Sequence, residues 1–222
     1  WISGTNGVVL HTTNNNDWVK YQDTSWSQLD FRDIHAFNDN EAIIMSSGGN
    51  RCEMYKTTNG SKTWHLVYEN NTPGIFFNGM DFWDDKNGIA FSDPINNQLF
   101  VIITNDGGDS WVKLESDDFP KMIRHEAGFA ASGTGIQCVG DSTLYIGTGG
   151  SKEARIYISR NRGKDWEVVS TPMRKGEASG IYSLTFLDEK NGVLVGGNYL
   201  DSASTKGICV ITSDGGLTWD IP

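Results

Sequence analysis

Four stretches of this chain of 222 residues spell nearly the same turn and close on a tryptophan: TTNGSKTW at Trp64, TNDGGDSW at Trp111, SRNRGKDW at Trp166 and TSDGGLTW at Trp219. A worn copy, TTNNNDW, closes at Trp18. The five tryptophans stand 46, 47, 55 and 53 residues apart. A period of roughly 40–50 residues belongs to repeat architectures. Each turn also has its own chemistry. Asp or Asn at the third position (Asn59, Asp106, Asn161, Asp214) can accept from turn amides. Gly at the next positions takes positive φ without a steric penalty. The hydroxyl at the first position (Thr57, Thr104, Ser159, Thr212) can add a local bond. The tryptophan that follows buries a large surface.

The residues between the turns break into short apolar or alternating runs, not the 3.6-residue stripes of helical repeats. The second unit reads FRDIHAFNDN, AIIMSS, CEMYKTT, turn, WHLVY; the third reads FNGMDFWDDKNG, IAFSD, LFVIIT, turn, WVKL. In the fourth, GFAASGTGIQCVG, TLYIGTG and ARIYISR precede the turn and DWEVVS follows it. Four strands per unit predict an all-β fold, a β-propeller of four-stranded antiparallel blades. Residues 1–222 then form a single propeller domain with about five repeats visible. The first unit opens at WISG without a first strand, and only DIP follows the last turn. A fragment of a six- or seven-bladed propeller, lacking flanking strands or blades, is expected, because open terminal edges are sticky.

The turn pattern S/T-x-D-x-G-x-T-W resembles the Asp-box, or BNR, repeat of sialidases, sortilin-type receptors and the photosystem II stability/assembly factor-like family. The FRDIHAF strand and the DDKNG and DEKNG turns are most similar to that last group of bacterial proteins. The first turn departs by being one residue short and lacking glycine, and the second has Ser61 where glycine is usual. The resemblance implies that Asn59, Asp106, Asn161 and Asp214, with Trp64, Trp111, Trp166 and Trp219, are structural and lie away from any active site.

A formal net charge of −10 argues against nucleic acid and against docking on an anionic membrane. No apolar run approaches the ~18–20 residues needed to span a bilayer. Cys52, Cys138 and Cys209 are far apart, odd in number and outside any zinc spacing, so neither a metal site nor a disulfide pairing is indicated. No cofactor motif stands in its required strand-to-helix context. The chain shows no signal peptide; export to the periplasm, the cell surface or the medium is expected of its parent protein, as a monomer.

Function is expected on the face opposite the tryptophan turns, where longer loops ride on a rigid scaffold. The runs there, among them SSGGNRCE, SDPINNQ, ESDDF, RHEAGFAASGTG, GTGGSKEARI and GGNYLDSASTKG, offer Lys152 and Glu177 among other charged groups. The binding candidates are Arg32, Asp93, Arg124, His125, Glu126, Arg155 and Tyr199. The leading expectation is a non-catalytic scaffold holding a protein or glycan partner. The alternative is a glycoside hydrolase of sialidase/BNR type, for which Asp93 and Glu126 would supply the paired carboxylates. Against that alternative, Arg32 is followed by Asp-Ile and not by the Ile-Pro of the sialidase FRIP motif.

Overall fold

The computed structural model describes residues 1–48, 51–115, 119–130, 133–201 and 203–222. Gly49 and Asn50 of SSGGNRCE, the 116–118 part of ESDDF, Ala131 and Ser132 of RHEAGFAASGTG, and Ser202 lie outside the described residues. The fold is all-β, with two single 3-10 turns, and its strands pair antiparallel in chain order. Sheet one holds β1 (Ile2–Ser3), β2 (Val8–His11) and β3 (Val19–Gln22). Sheet two holds β4 (Phe31–Ala36), β5 (Ala42–Ser46), β6 (Cys52–Thr57) and β7 (His65–Asn70). Sheet three holds β8 (Phe77–Phe82), β9 (Gly88–Ile95), β10 (Gln98–Thr104) and β11 (Val112–Lys113). Sheet four holds β12 (Ile136–Val139), β13 (Thr143–Gly147), β14 (Ala154–Ser159) and β15 (Glu167–Thr171). Sheet five holds β16 (Ser179–Phe186), β17 (Gly192–Asn198) and β18 (Cys209–Thr212).

Two strand boundaries differ from the sequence expectation. Among the described residues of GFAASGTGIQCVG only Ile136–Val139 is strand. Gly133 at φ +70° turns the chain before it, and Gly128 lies against Asn78 and Phe91. The SDP run is not a loop, because β9 continues through it to Ile95, with a register shift opposite Gln98–Phe100. A bulge tolerates Pro94, which has no N–H to give the ladder.

Each sheet packs on the next through its own core, because alternate residues of a doubly covered strand face opposite sheets. Ile44 of β5 joins Val9, Trp26 and Phe31 between sheets one and two. Its neighbours Ile43 and Met45 join Phe77, Met80 and Trp111 between sheets two and three. Phe91, Ile136 and Tyr157 lie between sheets three and four, and Tyr145, Phe186 and Trp219 between sheets four and five. The turn tryptophans fold back onto the preceding sheet, whereas Trp18 is 45% exposed.

One set of bonds recurs in the four full turns. The Asp106 carboxylate accepts from the Thr104 hydroxyl at 2.7 Å and from Ser110 N–H at 3.0 Å, while Gly108 N–H donates to Thr104 Oγ1 at 2.8 Å. Thr212, Asp214, Gly216 and Thr218 repeat the pattern, and the Thr218 hydroxyl foremost holds Asp214 down at about 2. A Cβ at Gly108, where φ is +83°, would stand 2.1 Å from Ile43 Cδ1, so a side chain there needs both a strained backbone and a shift of Ile43. The Trp64, Trp166 and Trp219 N–H groups find partners within their turns, but that of Trp111 is buried without one among the described residues.

The first strands of successive sheets are latched by single side chains. Asp33 accepts from Met80 N–H at 2.7 Å, Asp81 from Cys138 N–H at 2.7 Å and Gln137 from Phe186 N–H at 2.6 Å. Burial pushes the Asp33 carboxyl up to about 7, against the pull of the Met80 and Ile34 N–H donors. A folded-state value above the unfolded one favours the protonated form. This contribution to stability is full below about pH 4 and is lost as pH rises through about 7. The unfolding midpoint of Asp33→Asn is therefore expected to depend less on pH than that of the wild type between about pH 4 and pH 7. Equal slopes in a thermal-shift series would contradict the assignment.

Candidate functional site

Each full turn donates to the first hairpin of its own sheet: Gly60 N–H to Asn40 O at 2.9 Å, Gly107 to Lys86 O at 2.9 Å, Arg162 to Ser142 O at 2.9 Å and Gly215 to Lys190 O at 2.8 Å. That face is tied off by short bonds. The opposite face carries the links between sheets and the β5–β6, β9–β10, β13–β14 and β17–β18 connections. Along it, the segment from Phe119 to Ala130 is fixed by four bonds at Met122, Ala127 and Gly128. Met122 N–H donates to Asn97 O at 3.0 Å, and Gly128 N–H to Asp93 Oδ1 at 3.0 Å. Ala127 and Gly149 exchange N–H···O bonds of 3.0 Å, and Gly150 N–H continues to Ser179 O at 2.8 Å. Sheets three, four and five are thereby joined at one place.

Beneath the segment lies a buried ionic network. Glu126, 1% exposed, accepts from Arg155 Nε at 3.0 Å and also pairs with Arg155 Nη2. It further accepts from Thr148 Oγ1 at 2.6 Å, Tyr157 Oη at 3.1 Å and its own turn's Ile123 N–H at 2.8 Å. Arg155 reaches Tyr157 Oη at 2.6 Å and Lys121 O at 3.2 Å. Tyr157 is fully buried, which raises its phenol far above the ordinary range. A buried charge needs this degree of pairing to be tolerated.

Next to it lies a cleft of about 720 Å³, lined by Arg124, His125, Lys152 and Glu177 together with Gly150, Ser151 and Gly176. The buried Glu126 forces the chain to turn just before it, and His125 takes a left-handed φ of 67°. The side chains of Arg124 and His125 are consequently held out to solvent on a fixed backbone. Six of the seven arginines, Arg32, Arg51, Arg155, Arg160, Arg162 and Arg174, bond to a carboxylate or carbonyl. Arg124 makes no such bond among the described residues.

Of the sequence candidates, Arg124, His125, Glu126 and Arg155 are brought together. Asp93 stands beside them, half-buried, where it accepts from Asn78 Nδ2 at 2.8 Å and from Gly128 N–H; burial raises its carboxyl. Arg32 is separate, bonded to Asp30 at 2.9 Å and Ala130 O at 3.3 Å. Tyr199 is 63% exposed beyond the cleft, its N–H on Ala178 O at 3.2 Å. Thr148 and Tyr157 were not among the candidates. Both sit in runs that read as strand, and only the long-range pairing with Glu126 marks them. The three cysteines are free thiols, and among the described residues no cluster of His, Cys, Asp and Glu could hold a metal ion.

No family model matches the chain, and no curated protein does. Solved structures do match. YCF48 from Cyanidioschyzon merolae is 16% identical, covers 96% of this chain and 62% of its own, and superposes with a TM-score of 0.60. A protein of unknown function from Dyadobacter fermentans DSM 18053 is 14% identical, covers 82% of this chain and 65% of its own, with a TM-score of 0.54. A structure described as YCF48 bound to D1 peptide is 19% identical over 99% of this chain and 76% of its own, with a TM-score of 0.46. The chain thus spans less than two thirds of the first two. At these identities the likeness to those two establishes a shared propeller fold and nothing finer.

Proposed function

We propose that this chain is a non-catalytic propeller scaffold that binds a protein partner on its loop-bearing face, with the tryptophan-ended turns serving as Asp-box staples on the other. One observation carries the reading. The two carboxylates that a hydrolase would use are already engaged, Glu126 by buried donors and Asp93 by Asn78 and Gly128, while Arg124 stands open beside them. Hydrolysis of a glycosidic bond needs two carboxyl groups that reach the sugar. A rigid rim with an uncommitted cation is suited to holding a partner, not to proton transfer.

The test pairs two measurements. Reducing-sugar release from a panel of neutral and acidic polysaccharides is expected to stay at the blank level. A photo-crosslinker at Lys152 is expected to capture a protein partner, and the same group at Asn161 on the turn face is not. Release of sugar by homogeneous protein, lost in Asp93→Asn and Glu126→Gln variants that retain the wild-type circular dichroism, would overturn the reading.

A further inference from the structure

We infer that the cleft next to Glu126 is a site for a carboxylate-bearing segment with an apolar neighbour, such as an acidic side chain beside a leucine in an extended peptide. This rests on the protein-binding reading above and names the chemistry that the partner presents.

The first support is charge. The chain carries a formal −10, yet the cleft sets two cations, Arg124 and Lys152, and the imidazole of His125 against a single acid, Glu177. At physiological salt, charges more than about 8 Å away are largely screened, so the local cations decide what enters. Arg124 is the arginine without a bonded partner among the described residues, and a guanidinium fork matches a carboxylate in two parallel bonds. Glu177 at the rim tells against a doubly charged phosphate and favours a singly charged group.

The second support is rigidity. Glu126 is gripped by Arg155, Tyr157 and Thr148, and Ala127 is bonded on both sides to Gly149. The backbone that presents Arg124 is thereby ordered before any ligand arrives, which lowers the entropic cost of binding.

The third support is the neighbouring surface. Tyr199 and Leu200 are 63% and 77% exposed. Tyr199 is bonded through its N–H to Ala178 O, next to Glu177 on the cleft wall. The exposed Tyr199, tied to the strand end that forms the cleft wall, supplies the second part of the surface: the acid enters the cleft and the adjoining apolar side chain covers Tyr199.

The test is a fluorescence-anisotropy titration of labelled, capped peptides with a central Leu–Glu pair and varied flanks, alongside the same peptides carrying Leu–Gln. The Glu peptides are expected to bind at least about tenfold more tightly than the Gln peptides. Arg124→Ala is expected to remove that difference, so that the peptide change and the protein change are not additive. Tyr199→Ala is expected to weaken both peptide series alike. The Arg124 side chain makes no bond among the described residues, so the variant should keep the wild-type unfolding midpoint, which is measured first. Equal binding of Glu and Gln peptides, or an unchanged preference in Arg124→Ala, overturns the carboxylate site. If such binding is still lost in Tyr199→Ala, the protein-binding reading survives that result. Failure of every peptide to bind the wild type overturns the inference, and sugar release as described above separately overturns the reading it rests on.

Discussion

Glu126→Ala is expected to lower stability by about 3–5 kcal/mol, the cost of leaving one partner of a buried ion pair uncompensated. Arg155 keeps its side chain 12% exposed, so its charge cannot escape to water when the carboxylate goes. Thr148 and Tyr157 lose an acceptor at the same time. A second substitution makes the cause visible. Arg155→Met in the Glu126→Ala background removes the stranded charge and should recover part of the loss, since apolar replacement of a buried pair is often neutral or favourable. Denaturant titration reads both. A loss below about 1 kcal/mol for Glu126→Ala would place the pair among exposed, weakly coupled ones and contradict the network described here.

The second large effect separates the repeats from each other. Trp111 is 7% exposed and meets Phe82 edge-on at 5.8 Å in the core between sheets two and three. Trp111→Ala should cost about 3–5 kcal/mol through lost transfer energy and a cavity that the sheets cannot close. Trp18, 45% exposed on the worn turn, should change stability by only about 0.5 kcal/mol when replaced by alanine. Trp111→Phe should be mild, because the indole N–H that it removes has no partner among the described residues. Equal losses at Trp18 and Trp111 would show that the tryptophans do not act through the core between sheets.

Local chemistry explains what the sequence made legible. The turn at Thr212–Trp219 and its relatives form their bonds within a few residues, so spelling and structure coincide. Strand alternation is local as well, and the strands of sheet two fall where the runs FRDIHAF, AIIMSS, CEMYKTT and WHLVY stand. Contacts across sheets were not legible. Asp33 and Asp81 read as polar interruptions of their strands, and their partners Met80 and Cys138 are 47 and 57 residues away. Arg124, His125 and Glu126 were visible as an unusual triplet, but nothing in their order assigns Glu126 to the interior and its two neighbours to solvent. That division is set by Arg155 and Tyr157, 29 and 31 residues later.

Binding is proposed for the loop-bearing face, with the tryptophan turns structural. Its most direct test is a backbone amide NMR map of the chain titrated with an acidic Leu–Glu peptide. Perturbations are expected to concentrate at Arg124, His125, Lys152, Glu177 and Tyr199. Perturbations centred on Asn59, Asp106, Asn161 and Asp214, with those loops silent, would contradict it.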